Sequence, residues 1–234
     1  MGHGLHNASD KGVDDGGMPC VGLIADLVGS RGFRDAARRD LQRNLDGLMG
    51  ELNAKYSHAV LSKFLVTAGD EFQGLLREPD VVPDVVWDVE YRIADVDVRI
   101  GIGRGSLETE WKEFAVGMDG PVWHAARESL EEAKRSKSFG GVFNGFGENE
   151  DDILNGCARM LRRLRESLSD RQRQVLHLMR QDMSQKAIAE KLGISRQAVS
   201  RHVGASGWAA YQAGELAWRA VLAGFDSSRQ RSDP

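Results

Sequence analysis

The feature that most restricts the fold of this 234-residue chain is the segment 168–203, LSDRQRQVLHLMRQDMSQKAIAEKLGISRQAVSRHV. Ser169, Ser184 and Ser195 each stand directly before a helix-forming run, where a serine hydroxyl can cap the first turn of a helix. Gly193 stands where the second run ends, at a position that suits a left-handed residue. The segment therefore predicts three short helices, with a sharp turn between the second and the third.

The third of these helices, from Arg196, carries hydrogen-bond donors on its outward face, as a helix that enters the major groove of DNA does. At the start of the second helix, free backbone N–H groups can meet a phosphate. The residues predicted to contact DNA are Gln185, Lys186, Ser195, Arg196, Gln197, Ser200, Arg201 and His202. A helical hairpin with a polar face is the alternative, but it does not account for caps, glycine turn and basic helix at these spacings.

Charge is distributed unevenly along the chain. Residues 157–234 hold 14 Lys and Arg against 7 Asp and Glu, whereas residues 1–156 hold 17 against 28. A basic segment joined to an acidic one is typical of a nucleic-acid-binding module attached to a second domain. Taken alone, this contrast could also arise by chance. Together with the helical pattern, it predicts double-stranded DNA as a partner.

The composition also limits where the protein acts. Only two cysteines occur, Cys20 and Cys157, too few for a metal-ligand cluster or a disulfide framework. No apolar run reaches the roughly 18 residues of a membrane span, and residues 1–18 lack the apolar stretch of a signal peptide. We therefore expect a soluble, cytoplasmic protein without a membrane partner, whose residues 1–18 are disordered.

Residues 19–138 predict an α+β domain. Apolar patterns indicate the order β-α-β-β-α-β, then a loop and a further helix. This order is that of a ferredoxin-like, split β-α-β sandwich: an antiparallel sheet with helices on one face. Glycine-rich residues 139–156 are expected to form a linker, residues 157–224 an all-α helix-turn-helix domain and residues 225–234 a tail.

One more helix is expected after the three-helix unit. It would carry the aromatic side chains of Trp208, Tyr211 and Trp218. Aromatic residues at this spacing are most often core, and here they could pack against the three-helix unit. A dimer interface is the second interpretation, because paired half-sites in DNA favour a homodimer.

Three polar features stand out in the α+β domain. Asp26 lies in an otherwise apolar strand, and Asp70 lies at the turn of a predicted hairpin. Adjacent strands would bring these carboxylates together, where they could hold Mg²⁺ and, through it, the phosphates of a nucleotide. The alternative, which the sequence leaves open, is that Asp26 caps a strand end and Asp70 simply makes the turn. The third feature is the run RIGIGRG at 99–105, whose glycines would let the backbone approach a ligand, although it does not fit a dinucleotide fingerprint.

Four separated blocks, ADLVGSR, TAGDEFQGLL, VRIGIGRG and DGPVWHAARESLEEAK, resemble the SatD family over roughly residues 20–140. That resemblance implies no defined activity. The segment 168–203 resembles the three-helix domains of LuxR-type regulators and of region 4 of bacterial sigma factors, which implies DNA binding.

More distantly, the same blocks are similar to class III nucleotidyl cyclases and to the GGDEF palm domain. This likeness implies that Asp26 and Asp70 bind metal and that Gly69, Glu71 and Arg127 contact a nucleotide. The chain departs from those families in three places. Trp123 stands where many cyclases have an Asn, and Val66 falls near the position of the Lys that reads the base in many cyclases. GGDEF enzymes have two glycines before the Asp-Glu pair, whereas here only Gly69 precedes Asp70-Glu71.

The sequence thus predicts a DNA-binding transcriptional regulator. Its cyclase-like domain would be a nucleotide sensor or an oligomerisation module without catalytic turnover. Two alternatives remain: a Mg²⁺-dependent nucleotidyl cyclase or transferase tethered to DNA, and a sigma-factor-like partner of RNA polymerase.

Overall fold

A computed structural model describes residues 19–29, 35–93 and 96–225. The predictions of a disordered segment 1–18 and of a tail concern residues that lie outside this part of the chain, apart from Phe225. The strands are β1 (Cys20–Leu27), β2 (Val60–Ala68), β3 (Glu71–Leu76), β4 (Val98–Gly105) and β5 (Val142–Asn144). The helices are α1 (Asp35–Lys55), α2 (Val82–Arg92), α3 (Pro121–Ser136), α4 (Glu148–Glu166), α5 (Asp170–Met179), α6 (Gln185–Leu192), α7 (Arg196–Ala205) and α8 (Trp208–Ala223).

The five strands form one sheet in the order β2-β3-β1-β4-β5. The neighbours among β1 to β4 pair in antiparallel fashion, and β5 adds to β4 in parallel. Strands β1 to β4 thus have the split β-α-β order that the sequence predicts. The hairpin turn falls at Gly69, whose φ of +65° a glycine adopts without steric cost.

Helices cover both faces of the sheet, and the prediction that they lie on one face is wrong for α3. Helices α1 and α2 share the larger core with Leu23, Ala25 and other β1 residues of one face. Helix α3 lies on the opposite face, where Leu130 packs with Ile24 in a second core.

The glycines of β4 explain how α3 reaches the sheet. Gly101, Gly103 and Gly105 stand at alternate positions, so their missing side chains all face α3. A Cβ at Gly103 would come within 2.1 Å of the backbone nitrogen of Ala126. The interpretation of this run as a place where backbone approaches a ligand is therefore wrong, because the approaching group is a helix of the same chain.

Residues 139–156 do not form the expected linker. Within them, Val142 pairs with Gly101 in the sheet, and α4 begins at Glu148. The side chain of Asn155 accepts a hydrogen bond from Phe143 N and donates one to Phe143 O, so it fastens α4 to β5. The glycines at 140, 141, 145 and 147 have positive φ angles and form the tight turns on either side of β5.

The C-terminal helices divide between two cores. Helices α5, α6 and α7 enclose a small core of their own, whereas α4 and α8 contribute to the large core of the sheet. Tyr211 and Trp218 of α8 are each 1% exposed there, and the partly buried Trp208 packs against the same core, so these aromatic side chains are core residues. A dimer interface on α8 stays a prediction. The expected boundary at residue 157 falls inside α4, and the compact unit is α5–α7.

Within the ranges that the structure describes, none of the helices has both the length and the apolar character needed to cross a bilayer.

Candidate nucleic-acid interface and charged cluster

The turns between α5, α6 and α7 are fixed by the residues that the sequence singles out. The Ser184 hydroxyl accepts a hydrogen bond from Ala187 N at 3.2 Å, and the Ser195 hydroxyl accepts one from Ala198 N at 3.1 Å. Gly193 ends α6 with φ +64°, and Ile194 N then donates to Ala189 O at 3.0 Å. These bonds satisfy backbone groups that helix ends leave unpaired, and the chain reverses into α7.

A compact apolar core holds the three helices together. Val175 of α5, Ile188 of α6 and Val199 of α7 are fully buried in it. Ala189 lies where α6 faces its neighbours, and its small side chain lets the helices come close. Because α7 contributes only Val199 as a fully buried side chain, most of its surface is available for other contacts.

The predicted DNA-contacting residues lie mostly at the surface. Lys186, Arg196, Gln197, Ser200 and Arg201 are exposed, whereas Gln185 and His202 are half-buried. Ser195 is exposed too, but its oxygen already accepts the capping bond. Within the described ranges, Lys186, Arg196 and Arg201 have no ion-pair partner, so their charges face solvent.

The positive balance of the C-terminal segment overstates the charge that a nucleic acid would meet. Several of its arginines form ion pairs inside the protein instead. Arg180 contacts Asp84 at 2.6 Å and also Glu215, and Arg219 contacts both of these carboxylates at 2.8 and 2.6 Å. Arg162 and Arg165 likewise pair with Glu90. These pairs fasten α4, α5 and α8 to α2.

A cluster of charged side chains lies at the end of β1, on the face that α3 covers. Asp26 is the register partner of Glu71 on β3 and of Arg99 on β4, which places all three side chains on this face. Arg99 Nη1 lies 3.9 Å from Asp26 Oδ2. We call Asp26, Glu71, Arg99 and Arg127 the strand-end cluster.

Glu71 and Arg127 satisfy each other within this cluster. Arg127 of α3 donates two parallel hydrogen bonds to Glu71, from Nη1 to Oε2 at 2.7 Å and from Nη2 to Oε1 at 2.9 Å. This fork geometry is the strongest form of arginine–carboxylate pairing. Glu71 or Arg127 could bind a nucleotide only if the hydrogen bonds between them were broken.

Burial raises the pKa of Asp26. Lys134 and Arg99 oppose that rise, while Asp70 and Glu71 add to it by repulsion. Asp70 directly precedes Glu71, the register partner of Asp26, so the two predicted metal ligands lie in the same part of the sheet. Asp70 itself is half-buried beside Gly69 in the hairpin turn.

The strand-end cluster fits a divalent metal poorly. Mg²⁺ needs oxygen ligands in octahedral array, with water and phosphate completing what carboxylates do not supply. In the described part of the chain, no group of three or more His, Cys, Asp or Glu side chains converges. Cationic Arg99 and Arg127 occupy the space around the acids instead. The cluster as it stands is a set of ion pairs, and the metal and nucleotide roles of its residues stay predictions.

The two departures from the cyclase pattern have ordinary structural roles. Trp123 is 7% exposed and packs in the core between α3 and the sheet. Val66 lies in β2, half-buried against the larger core. Val66 has no polar side-chain group, and the one that Trp123 has, its indole Nε1, is buried.

A polar network that the sequence patterns did not predict joins α2 to α4. Glu90 forms ion pairs with Arg162 and Arg165. Glu90 is 9% exposed and Arg165 is 7% exposed, so both charges are buried. One signal was present: Arg165 recurs four residues after Leu161 and eleven after Leu154, on the buried face of α4. A basic residue at such a position indicates a buried partner.

A sequence model of the SatD family matches residues 20–217, which is most of the chain and extends well beyond the four blocks. A search of curated proteins gives no match.

Solved structures with a similar fold include nucleotidyl cyclases. The guanylyl cyclase domain of the RhoGC fusion protein from Blastocladiella emersonii is 19% identical with TM-score 0.30, over 47% of this chain and 72% of that one. The adenylyl cyclase CyaB from P. aeruginosa is 14% identical with TM-score 0.35, over 51% and 80%. The guanylate cyclase domain of RhGC from Catenaria anguillulae, in complex with GTP, is 18% identical with TM-score 0.30, over 47% and 71%. At identities and scores this low, the likeness says nothing about what this chain binds.

Proposed function

The chain belongs to the SatD family, and from this starting point we propose that it is a DNA-binding transcriptional regulator. Helix α7 would read base edges in the major groove, and the start of α6 would contact the phosphate backbone. The observation that carries this proposal is the capped α6–Gly193–α7 turn with a polar, unpaired outer face on α7.

Charge supports the same proposal once the internal ion pairs are set aside. Lys186, Arg196 and Arg201 keep their charges toward solvent, and Gln197 can pair with an adenine edge. Arg180 and Arg219, in contrast, are held in ion pairs within the protein, so their charges are not available to a nucleic acid.

The domain built on the five-stranded sheet with α1, α2 and α3, here called the sheet domain, would act as a sensor or an oligomerisation module. It is joined to the DNA-binding helices by packed contacts. Helix α5 contacts α2 through Arg180 and Asp84, and α8 shares the core of the sheet. A change at the sheet domain would then reach α7 through packed helices. A homodimer is part of the proposal, and sedimentation equilibrium of the purified chain tests it.

A nucleotidyl cyclase or transferase is less well supported. Arg127, the candidate phosphate ligand, is held by Glu71, and Trp123 is buried in the core. Positioning groups supply much of the rate in phosphoryl transfer, so a site without them would be slow. Incubation of the full chain with ATP or GTP and Mg²⁺, followed by chromatography, would detect cyclic products if this alternative holds.

A binding selection tests the proposal. Random duplex DNA is incubated with the full chain, and the bound fraction is amplified and sequenced over several rounds. We expect one enriched motif from the wild type and none from the variant Arg196→Ala/Gln197→Ala/Arg201→Ala. A folded wild type that enriches no sequence would contradict the proposal.

A further inference from the structure

Helix α4 has a face that no described part of the chain covers. Its buried side carries Leu154, Ala158 and Leu161, whereas Ile153 and Met160 are turned to solvent. Ile153 is 50% exposed and Met160 is 61% exposed, so they are two of the six large apolar side chains that are exposed among the described residues. Seven residues separate them, which is close to two helical turns, so they form one apolar stripe along the helix.

Two opposite charges lie beside this stripe. Asp152 and Arg159 are both exposed, and within the described ranges neither forms an ion pair. They too are seven residues apart, so they lie on one side of α4 but about 10 Å from each other along its axis. At that separation they do not pair with each other, and each can meet a charge of another molecule.

Gly156 stands midway along this face. A Cβ at this position would have nothing within 4 Å, so the packing of the chain does not require a glycine there. A glycine in the middle of a helix weakens that helix, but it lets another backbone come close. The centre of the face is therefore where a second helix can approach most closely.

The pattern is complementary to itself when a second copy of α4 runs antiparallel across Gly156. Asp152 lies four residues before Gly156, and Arg159 lies three residues after it. A two-fold axis at Gly156 thus brings Asp152 of one copy to within about 1.5 Å, one residue of helical rise, of the height of Arg159 of the other copy. Ile153 and Met160 are related in the same way, so each Ile153 falls beside a Met160 of the other copy. A parallel pair would instead place like charges together.

We propose that α4 forms a homodimer interface in which two copies of the chain pair antiparallel about Gly156. This inference rests on the homodimer of the proposed function and adds its surface and its orientation. Ile153 would pack against Met160, and Asp152 would pair with Arg159, at two symmetric places. One helix pair is a small interface, so the dimer is weak and reversible. Duplex DNA with paired half-sites would bind both copies and stabilise it.

Sedimentation equilibrium of the full chain without DNA measures the dimer and its Kd. Met160→Glu places a charge in the apolar stripe and should raise Kd at least about tenfold. Leu216→Glu is the matched control, because Leu216 is 67% exposed but lies on α8, where it lines a shallow cavity with Met179 and Trp208. The control should leave Kd unchanged, and both variants should melt like the wild type because both side chains are exposed.

Charge reversal tests the antiparallel register. Asp152→Arg sets two arginines against each other at both symmetric places, and Arg159→Asp sets two aspartates against each other. Each variant alone should raise Kd about tenfold. An equimolar mixture of the two variants has an opposite pair at both places, so it should form a mixed dimer with a Kd close to that of the wild type.

The proposal is overturned if the wild type stays monomeric up to its solubility limit, or if Met160→Glu dimerises like the wild type. It is also overturned if mixing the two charge variants does not restore a dimer. A dimer that Leu216→Glu dissociates and Met160→Glu does not would place the interface on α8 instead. A monomeric wild type that still enriches a DNA motif would leave the DNA-binding proposal intact, so the two failures can be told apart.

Discussion

The indole N–H of Trp87 donates a hydrogen bond to Nδ1 of His177 at 3.0 Å and thereby joins α2 of the sheet domain to α5. Tyr91 stacks on the His177 ring with 3.6 Å between centroids and 5° between planes. Together with the Arg180–Asp84 ion pair, these contacts fix the three-helix unit on the sheet domain. Because Nδ1 accepts, the imidazole is neutral in this arrangement.

This relationship predicts a pH dependence of stability. Burial lowers the pKa of His177, and nearby Lys55, Arg180 and Lys191 lower it further, while Asp88 opposes them. The unfolded chain therefore takes up a proton at a higher pH than the folded chain. Stability from His177 is fully present above the unfolded pKa of about 6.5 and is lost as the pH falls below it.

Urea unfolding of the wild type and of His177→Gln, between about pH 5 and pH 7, measures this effect. We expect the free energy of unfolding of the wild type to fall more steeply toward acid than that of the variant. Parallel pH profiles would show that the protonation of His177 is not linked to folding.

Gly103→Ala should destabilise the fold. The added Cβ would lie 2.1 Å from Ala126 N and 2.5 Å from Val122 O, which are backbone atoms of α3 and cannot move aside independently. We expect a loss of about 2 kcal/mol or more in the free energy of unfolding. Gly50→Ala is the matched control, because nothing lies within 4 Å of a Cβ there and Gly50 is inside α1. The control should gain about 0.5–1 kcal/mol, and equal effects at the two sites would refute the account of α3 packing.

At neutral pH, the variant Asp26→Asn should be at least as stable as the wild type. Burial raises the folded pKa of Asp26, so its contribution is favourable below the unfolded pKa of about 3.9 and is lost as the pH rises through the folded value. The charged form thus opposes folding at pH 7, and asparagine removes that charge.

Glu71→Gln, by contrast, breaks the paired contact with Arg127 and should destabilise the fold. Thermal melts of both variants with and without Mg²⁺ separate the two interpretations of the strand-end cluster. A rise in the wild-type melting temperature with Mg²⁺ that Asp26→Asn abolishes would favour the metal role over the ion-pair cluster.

Substitutions on α7 should change DNA binding without unfolding the chain. Arg196, Gln197 and Arg201 are exposed, so alanine at each should leave the melting temperature within about 1–2 °C of the wild type. At least one of the three should lose about 1–3 kcal/mol of discrimination between the selected duplex and a single-base variant. Binding competition on the two duplexes measures this, and unchanged discrimination in all three would show that α7 does not read bases.

Local patterns in the sequence predicted most of the elements, and long-range packing explains what they did not predict. The caps at Ser184 and Ser195 act within a few residues, so a local pattern is enough to place α6 and α7. Which face of the sheet α3 covers depends instead on glycines in β4 that lie 16 to 29 residues before the α3 residues they face. Alternate glycines on one strand are a signal that could have been used, since residues two apart share a face.

The strand-end cluster was predicted only in part, for a related reason. Strand pairing brings Asp26 beside Glu71, as a hairpin next to β1 requires. The sequence did not indicate that Arg127 would pair with Glu71, because the two residues lie 56 positions apart in the chain. The same applies to the ion pairs of Arg180 and Arg219, which make the net charge of a segment a poor measure of its exposed charge.

The salt dependence of DNA binding by the full chain tests the central claim most directly. The full chain is required because α4 and α8 share their core with the sheet, so residues 157–234 are not expected to fold alone. Anisotropy of a labelled duplex, titrated at several salt concentrations, gives the slope of log K against log salt. We expect a clearly negative slope for the wild type, which becomes less steep by about one for each of Lys186→Ala, Arg196→Ala or Arg201→Ala that contacts a phosphate. Binding that is indifferent to salt, or a slope that none of these variants changes, would contradict the claim that this protein binds DNA through α6 and α7.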